Sequence, residues 1–440
     1  MKKSFLKTLG IMSAVFALSA CSSTTTGVAQ ELRNPKELEH TYNYQDINSE
    51  DYLAFKNKMR TFSSKISDTF INREFDPEKN IAISPLSLEL CLGLAVSASA
   101  EATRNEILNA FDMDLEIFNK FYKLYYDELS FEVLNEYKEP ESLLSFTNSL
   151  WVDDEVALKE QGLDSLMNDR YCYAYSVDFN NNNRNSNHAI NRFVRENTNE
   201  FLSPQFNFSK ETILTLINTI YLKDIWNNGG IDLHLADAQY KFTNLNGAVS
   251  EQRLLEGHYF PGKIIETDNY SSFYTKTNTG IKLYFVKAKP GKNFTSLSPR
   301  AVLNYILDNE NIVYKDDEKQ ERYETNCVFP EFYVHSDNSL RALLQQDLHI
   351  EKLFSAECNF SNLTNGNAYC GDIRQYVKLN VEKDGIEAGA ATYTMIYGAA
   401  ASNNEYQIVK DTFVVDQEFG FVITSRNNDI LFSGIVTNID

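Results

Sequence analysis

Proline and glycine are scarce, 9 and 18 in 440 residues, which leaves little material for the flexible linkers that separate domains. Length alone allows about three domains, so the shortage favours fewer, larger units. Basic residues are outnumbered by acidic ones, 41 against 61, for a net charge of −20. A surface of that sign repels phosphate and argues against nucleic acid as a partner. After the first twenty residues no apolar run reaches the roughly 18 residues that span a bilayer as a helix. Histidine is rare, and its six positions, His40, His188, His234, His258, His335 and His349, never fall at metal-ligand spacing; each reads as a surface or turn residue. No CxxC pair suggests zinc. The GxSxG, HExxH, GxGxxG and P-loop patterns are all missing, which removes the common signatures of hydrolases, zinc peptidases and nucleotide enzymes. No metal, cofactor or catalytic set is expected. The adjacent carboxylates Asp153-Asp154 and Asp316-Asp317 point to opposite faces if extended and read as solvated turns.

What is present is an ordinary globular composition, 43% hydrophobic and 23% charged, long enough to bury a large core. Lys2, Lys3 and Lys7 precede an apolar stretch over 9–18, the layout of a secretory signal over residues 1–20. It ends in Leu18-Ser19-Ala20-Cys21, which resembles the lipobox of bacterial lipoproteins, with Cys21 as the lipidated residue. The alternative is an ordinary signal peptide cut after Ala20. Two or three acyl chains at Cys21 would hold the protein at a membrane surface, one chain being marginal. Residues 21–50 then form the lipidated terminus and a polar tether, opened by Ser22-Ser23-Thr24-Thr25-Thr26-Gly27. Five cysteines remain, an odd number that cannot all pair within one chain. Cys91 and Cys327 sit in apolar runs and read as buried thiols, Cys172 carries no assignment, and Cys358 and Cys370 are able to pair.

Phe55, Met59, Phe62, Ile66 and Phe70 recur at helical spacing and predict a helix over about 51–72. Asp76-Pro77 ends it, and Ser84-Pro85 opens a second apolar helix through Leu88, Leu92 and Leu94. Thr103-x-x-Glu106 has the form of a capping box for a third. Later the texture changes to short apolar or β-branched runs at 143–151, 214–222 and 281–285, and 419–426 with 429–436 reads as a closing hairpin. No fixed-period repeat is present. Helices first, then strands, describe an α+β fold in a single domain over 51–440.

The segment 387–401 has one charge, no proline and small residues at both ends. At period two, one face carries Ile386, Ala388, Ala390, Thr392, Thr394 and Ile396, all uncharged; nothing in it forbids a central strand, where proline or an inward charge is costly. By periodicity alone a buried Ala-rich helix or a small-residue loop fits as well.

Several segments, in order, resemble the serpin family. Ile83-Ser84-Pro85-Leu86-Ser87 is similar to its FSPLSI motif, Ala102-Thr103-Arg104-Asn105-Glu106-Ile107 to GNTxxQI, and Ile217-Asn218-Thr219-Ile220-Tyr221-Leu222-Lys223-Asp224-Ile225-Trp226 to NAIYFKGxW. Phe329-Pro330-Glu331-Phe332 is similar to LPKF, and Phe419-Gly420-Phe421 with Ile430-Leu431-Phe432-Ser433-Gly434-Ile435-Val436 to the terminal FxADHPFLFxI and ILFMGRV. The resemblance covers about 51–440. It implies a helix-rich N-terminal part, a large central β-sheet, further sheets and an exposed reactive-centre loop. Its hinge is then Gly385, Ile386, Glu387, Ala388, Gly389, Ala390, Ala391 and Thr392, similar to GTEAAAAT.

The mechanism that the resemblance implies is suicide inhibition. A protease attacks the loop, forms an acyl-enzyme, and is trapped as the cleaved loop inserts into the main sheet. The small, uncharged hinge suits insertion. Lys383 replaces the usual Glu at the top of the hinge, which weakens a contact holding the loop out; Ile386 replaces Thr or Ser but stays apolar. Ser84, Ser87 and Asn218 match the shutter, and Val328 stands where many members place His. Counting fifteen residues from Gly385 puts the reactive bond between Ala399 and Ala400, which fits an elastase-like serine protease with a shallow pocket. Cleavage after Tyr397 or Met395 would mean chymotrypsin-like targets, and some members trap cysteine proteases. No Lys or Arg lies between Asp384 and Lys410, against trypsin-like targets. The expectation is a monomeric protease inhibitor, not an enzyme, lipid-anchored at the bacterial cell surface. The alternatives are a non-inhibitory member and a solute-binding lipoprotein.

Overall fold

In the computed structural model, the structure describes residues 28–38, 46–135, 137–226, 233–257, 259–292, 315–316, 319, 321–387 and 407–439. Helix α1 (Glu50–Glu74) starts behind Ser49, whose hydroxyl accepts the Tyr52 N–H at 3.3 Å, a side-chain cap for an otherwise orphaned donor. Its stripe Phe55, Met59, Phe62, Ile66 and Phe70 is buried throughout. Helix α2 (Pro85–Ala98) follows the short strand β2 (Ile81–Ile83); Ser84 caps it and Pro85 occupies the first turn, where no N–H is needed. It is apolar nearly all round because it lies inside the core.

Helix α3 (Glu101–Ala110) corrects the capping-box expectation. It begins two residues before Thr103, behind Ala100, which offers no side-chain cap. The Thr103 hydroxyl instead accepts the Asn359 N–H at 3.0 Å, and the Glu106 carboxylate accepts the N–H groups of Glu351 and Lys352, each at 2.8 Å. Both side chains thus serve a distant segment rather than their own helix. Helix α4 (Leu115–Leu129) is capped by Asp114.

Among the described residues the main sheet has eight strands. Strand β1 (Ala29–Arg33) runs antiparallel to β5 (Cys172–Val177), which is parallel to β4 (Pro140–Asp153). Strand β3 (Phe131–Leu134) also pairs with β4, and β4 pairs antiparallel with β6 (Leu214–Ile225). On the far side β10 (Phe332–Ser339) pairs with β11 (Arg374–Glu382), each strand antiparallel to its neighbour. The sheet therefore reaches back to Ala29, inside the segment read from the sequence as tether; Arg33 anchors it through Glu160 and Asp164 of α5 (Glu160–Arg170). Helix α6 (Asn183–Glu196) lies across one face over Trp151, Val177 and Ile217.

A six-stranded sheet is built from Ile265–Glu266, β7 (Tyr270–Lys276), β8 (Lys282–Ala288), β14 (Phe419–Thr424), β15 (Ile430–Val436) and β2. The closing hairpin is β14–β15, as its pattern predicts. A third sheet holds β9 (Glu321–Val328) with β13 (Gln407–Val414) parallel to it. Asp153 is not a solvated turn residue. It is buried at the end of β4, where its two oxygens accept the Glu155 and Phe179 N–H groups at 3.2 and 2.9 Å; Asp154 is exposed. Asp316 sits in the short strand Lys315–Asp316, and Asp317 lies outside the described residues. His188, His234, His335 and His349 are all exposed.

Buried charge ties the two ends of the chain together. Lys56 of α1 contacts Glu128 of α4 at 3.0 Å and Asp429 of the β14–β15 turn at 3.1 Å, and Arg60 reaches Asp429 at 3.0 Å. Beside them Glu89 is enclosed with Ser63 and Tyr125. Burial pushes its carboxyl well above the ordinary range, the two hydroxyls opposing.

Candidate functional site

Strands β6 and β11 are neighbours in the main sheet without being paired to each other. Only at the top does a two-residue strand, β12 (Gly385–Ile386), bridge them: Gly385 faces Ile225 and Glu382, and Ile386 faces Asp224 and Val381. Below that bridge the strands part around a cavity of about 410 Å³. One wall is 214–220 of β6 and another 371–377 leading into β11; Ser84, Ser87 and Cys91 of the α2 region form the floor, and 206–209 part of the cover. Both rims offer unused strand edges, which makes the gap a slot for one more strand.

The bridge is tightly built. A Cβ on Gly385 would lie 2.2 Å from the Asp224 carbonyl oxygen, and its φ is +151°, so no other residue fits without moving the chain. The Asp224 carboxylate accepts hydroxyl bonds from Ser142 and Thr277, both at 2.6 Å, and from Thr279. Burial still raises its pKa, with those hydroxyls opposing. The Trp226 indole N–H donates to the Glu382 carbonyl at 2.7 Å. Lys383 is exposed, and its backbone N–H donates to Glu331 at 2.8 Å. Glu387 ends the described hinge at φ +48°.

At mid-slot Ser84, Ser87 and Asn218 line the same cavity. The Ser84 hydroxyl donates to the Leu431 carbonyl at 2.7 Å and accepts the Ser87 N–H at 3.2 Å. Asn218 donates to Asn148 at 2.9 Å, and its own Oδ1 is buried with no partner among the described residues. Val328 does not belong here: it ends β9, facing Val414 in the third sheet. The polar partner is Gln375 of β11, whose amide accepts the Ser84 N–H at 2.7 Å and donates to the Ser84 carbonyl at 2.8 Å. Gln375 thus brings a polar side chain from β11 into the cluster. No local signal marks Gln375, because its role depends on β11 lying against the start of α2.

The cover is fastened by a ladder of amides on α6. Asn187 accepts the Phe208 N–H at 2.7 Å and donates to the Phe208 carbonyl at 3.0 Å. Asn191 makes the same pair with Phe206, both at 2.9 Å. Each side chain imitates one rung of a β-ladder, which an i, i+4 spacing on one helix face permits. Cys358 and Cys370 are free, as are Cys91, Cys172 and Cys327; the Cys370 thiol donates to the Asp372 carbonyl at 3.2 Å. Ala388, Gly389, Ala390, Ala391, Thr392, Met395, Tyr397, Ala399, Ala400 and Cys21 lie outside the described residues. Asp153, Asp154 and Asp178 are the one acidic group close enough to hold a cation among the described residues, and both Asp153 oxygens already accept backbone N–H groups.

The sequence model of the family described as "Serpin (serine protease inhibitor)" matches residues 57–251 and 295–439. An uncharacterized serpin-like protein of Methanosarcina acetivorans is 26% identical over 374 residues, 82% of this chain and 81% of the relative. Iripin-1 of Ixodes ricinus is 24% identical over 395 residues, covering 84% and 94%. The native state of tengpin, a thermophilic serpin, superposes with a TM-score of 0.72 at 18% identity, over 94% of this chain and 100% of tengpin.

Proposed function

The chain belongs to the serpin family, whose members are generally protease inhibitors, and we propose that it acts as a suicide substrate that traps a protease by inserting the cleaved loop into the slot between β6 and β11. The observation that carries this reading is the slot itself, already entered by Gly385 and Ile386. Continuing their register places Ala388 opposite Leu222, Ala390 opposite Ile220, Thr392 between Asn218 and Gln375, and Ile396 opposite Leu214. Every residue on that face is uncharged, so insertion buries no unpaired charge. The Thr392 hydroxyl arrives where Asn218 Oδ1 lacks a donor. Ten residues, 387–396, complete the ladder along β6, and the new strand gains backbone hydrogen bonds on both sides.

The reactive bond is assigned between Ala399 and Ala400, and the target to the elastase-like serine proteases. The basis is a small residue before the bond and the absence of Lys and Arg from 385–409. Lipidation at Cys21 would place the inhibitor at the cell surface of a bacterium. The test mixes a chain lacking residues 1–21 with elastases, chymotrypsin, trypsin and papain, followed by denaturing gels and mass spectrometry. A complex that survives denaturation, with a released fragment beginning at Ala400, is expected with elastase. A fragment starting after Tyr397 or Met395 moves the bond and the target class. Clean cleavage by every enzyme, with no complex and no gain in heat resistance, refutes the inhibitor reading in favour of a non-inhibitory member.

A further inference from the structure

At the point where the bridging strand stops, Glu387 adopts φ +48°, a left-handed conformation that is uncommon for a residue with a side chain. Its N–H donates to the Asn380 carbonyl at 2.7 Å. Its half-buried carboxyl accepts the Tyr221 hydroxyl at 3.0 Å through Oε1, while Oε2 is enclosed with no partner among the described residues. The groups around it come from three elements. Strand β6 contributes Tyr221 and Lys223, β11 contributes Lys378 and Glu382, and the connector after α6 contributes Asn199, which bonds the Tyr221 hydroxyl. Neither lysine is spent on the carboxyl: Lys223 donates to the Pro140 carbonyl at 3.3 Å and Lys378 to that of Phe201 at 3.4 Å. An enclosed carboxyl held by one hydroxyl suits a neutral acid better than a carboxylate.

The register supplies a second position for the same side chain. With Gly385 opposite Ile225 and Ile386 opposite Asp224, an extended residue 387 falls directly opposite Lys223. Residues 221 and 223 lie on one face of β6 by the period of two, and 387 joins that face. Opposite charges facing each other across two strands attract. Straightening Glu387 also relieves its left-handed backbone.

We propose that Glu387 is a proton-controlled latch of the hinge: seated on Tyr221 as a neutral acid it holds the loop out of the slot, and as a carboxylate it transfers to Lys223 and starts the new strand. This rests on the insertion reading given above. Burial, the largest cause, pushes the carboxyl up to about 8, with the Tyr221 hydrogen bond, Lys223 and Lys378 opposing and Glu382 adding to the rise. The sign follows from linkage. A carboxyl raised in the uninserted form and ordinary in the inserted one favours the uninserted form fully below about pH 4.5. That preference is lost as pH rises to about 8 and does not change further above it.

The test follows the uncleaved full-length chain, incubated between pH 5 and 9 and returned to pH 7, for the rate at which it gains heat resistance by spontaneous insertion. The wild-type rate should rise at least about tenfold across that range and level off near the top, the linkage limit being tenfold per pH unit. Glu387→Gln should stay at the slow rate at every pH, and Lys223→Gln should keep the slow low-pH rate but lose most of the rise. Tyr221→Phe, which leaves the carboxyl in place and removes its partner, should be fast already at low pH. A Glu387→Gln chain with the wild-type pH profile, or a flat wild-type profile, overturns the latch. If loop cleavage brings no heat resistance to any variant, the insertion reading itself fails and takes the latch with it; cleavage that brings heat resistance while the pH profile stays flat removes the latch alone.

Discussion

On the proposed insertion mechanism, replacing Thr392 by Arg should convert the protein from an inhibitor into a substrate. In the proposed inserted strand, continued register would set residue 392 between Asn218 of β6 and Gln375 of β11, above Ser84 and Ser87 in the cavity floor. None of these four is a carboxylate, so an arginine carried to that level is a buried cation without a counter-ion. Such a charge costs about 3–5 kcal/mol. If it is felt in the inserting transition state, insertion slows by roughly 100- to 4000-fold at 1.4 kcal/mol per tenfold. Deacylation of the protease is unaffected, so the acyl-enzyme hydrolyses before it is trapped. Thr392→Val serves as the graded comparison: it keeps the shape but leaves Asn218 Oδ1 unpartnered, a loss of about 1 kcal/mol and roughly fivefold in rate. The assay is the number of inhibitor molecules consumed per protease trapped, together with the melting temperature of chains nicked in the loop by an unrelated protease. The arginine variant should be consumed without trapping and should gain little stability on nicking, with valine between it and wild type. An arginine variant that traps at the wild-type ratio, or gains as much stability on nicking, refutes the register and the slot.

Gln375→Ala removes two buried hydrogen bonds to the Ser84 backbone and leaves its N–H without a partner, so a loss of about 2–4 kcal/mol in urea denaturation is expected, with faster spontaneous insertion as β11 loosens from α2. Glu89→Gln keeps the neutral bonds to Ser63 and Tyr125. Because burial raises the Glu89 pKa, the wild-type carboxyl destabilises the fold increasingly as pH rises above about 4.5, and the stability advantage of the Gln variant should grow from pH 5 to pH 8; an advantage that does not change with pH would contradict a neutral Glu89. Thiol titration of the native chain should label Cys358 first. Cys358 is half-buried, with burial raising its thiol to about 11, whereas Cys91, Cys172 and Cys327 are fully enclosed and should react only after unfolding.

The outer framework was legible in the residues because it depends on local periodicity. The stripe Phe55 to Phe70 marks α1, Ser84-Pro85 marks the start of α2, and the turn at 426–429 marks the closing hairpin. The two misread capping residues show the limit of such signals: Thr103 and Glu106 have the right spacing for their own helix, but a segment more than two hundred positions later offers N–H groups that need them. Gln375 was invisible for the same reason. A strand glutamine acquires meaning only when β11 brings it against the backbone of Ser84, and Val328, chosen from the order of motifs, ends in another sheet.

By itself, the sequence determined the α+β class and the uncharged period-two face of 386–396, both properties of neighbours along the chain. Only the tertiary structure decided that β6 and β11 stand apart below Ile386 and that Asn218 keeps a buried oxygen without a partner among the described residues. Tertiary structure also decided that Glu387 lies within reach of Tyr221 while its register points to Lys223. The physical reason is that a slot is defined by two strands that do not pair, and the absence of a pairing between residues about 150 positions apart leaves no trace in local pattern.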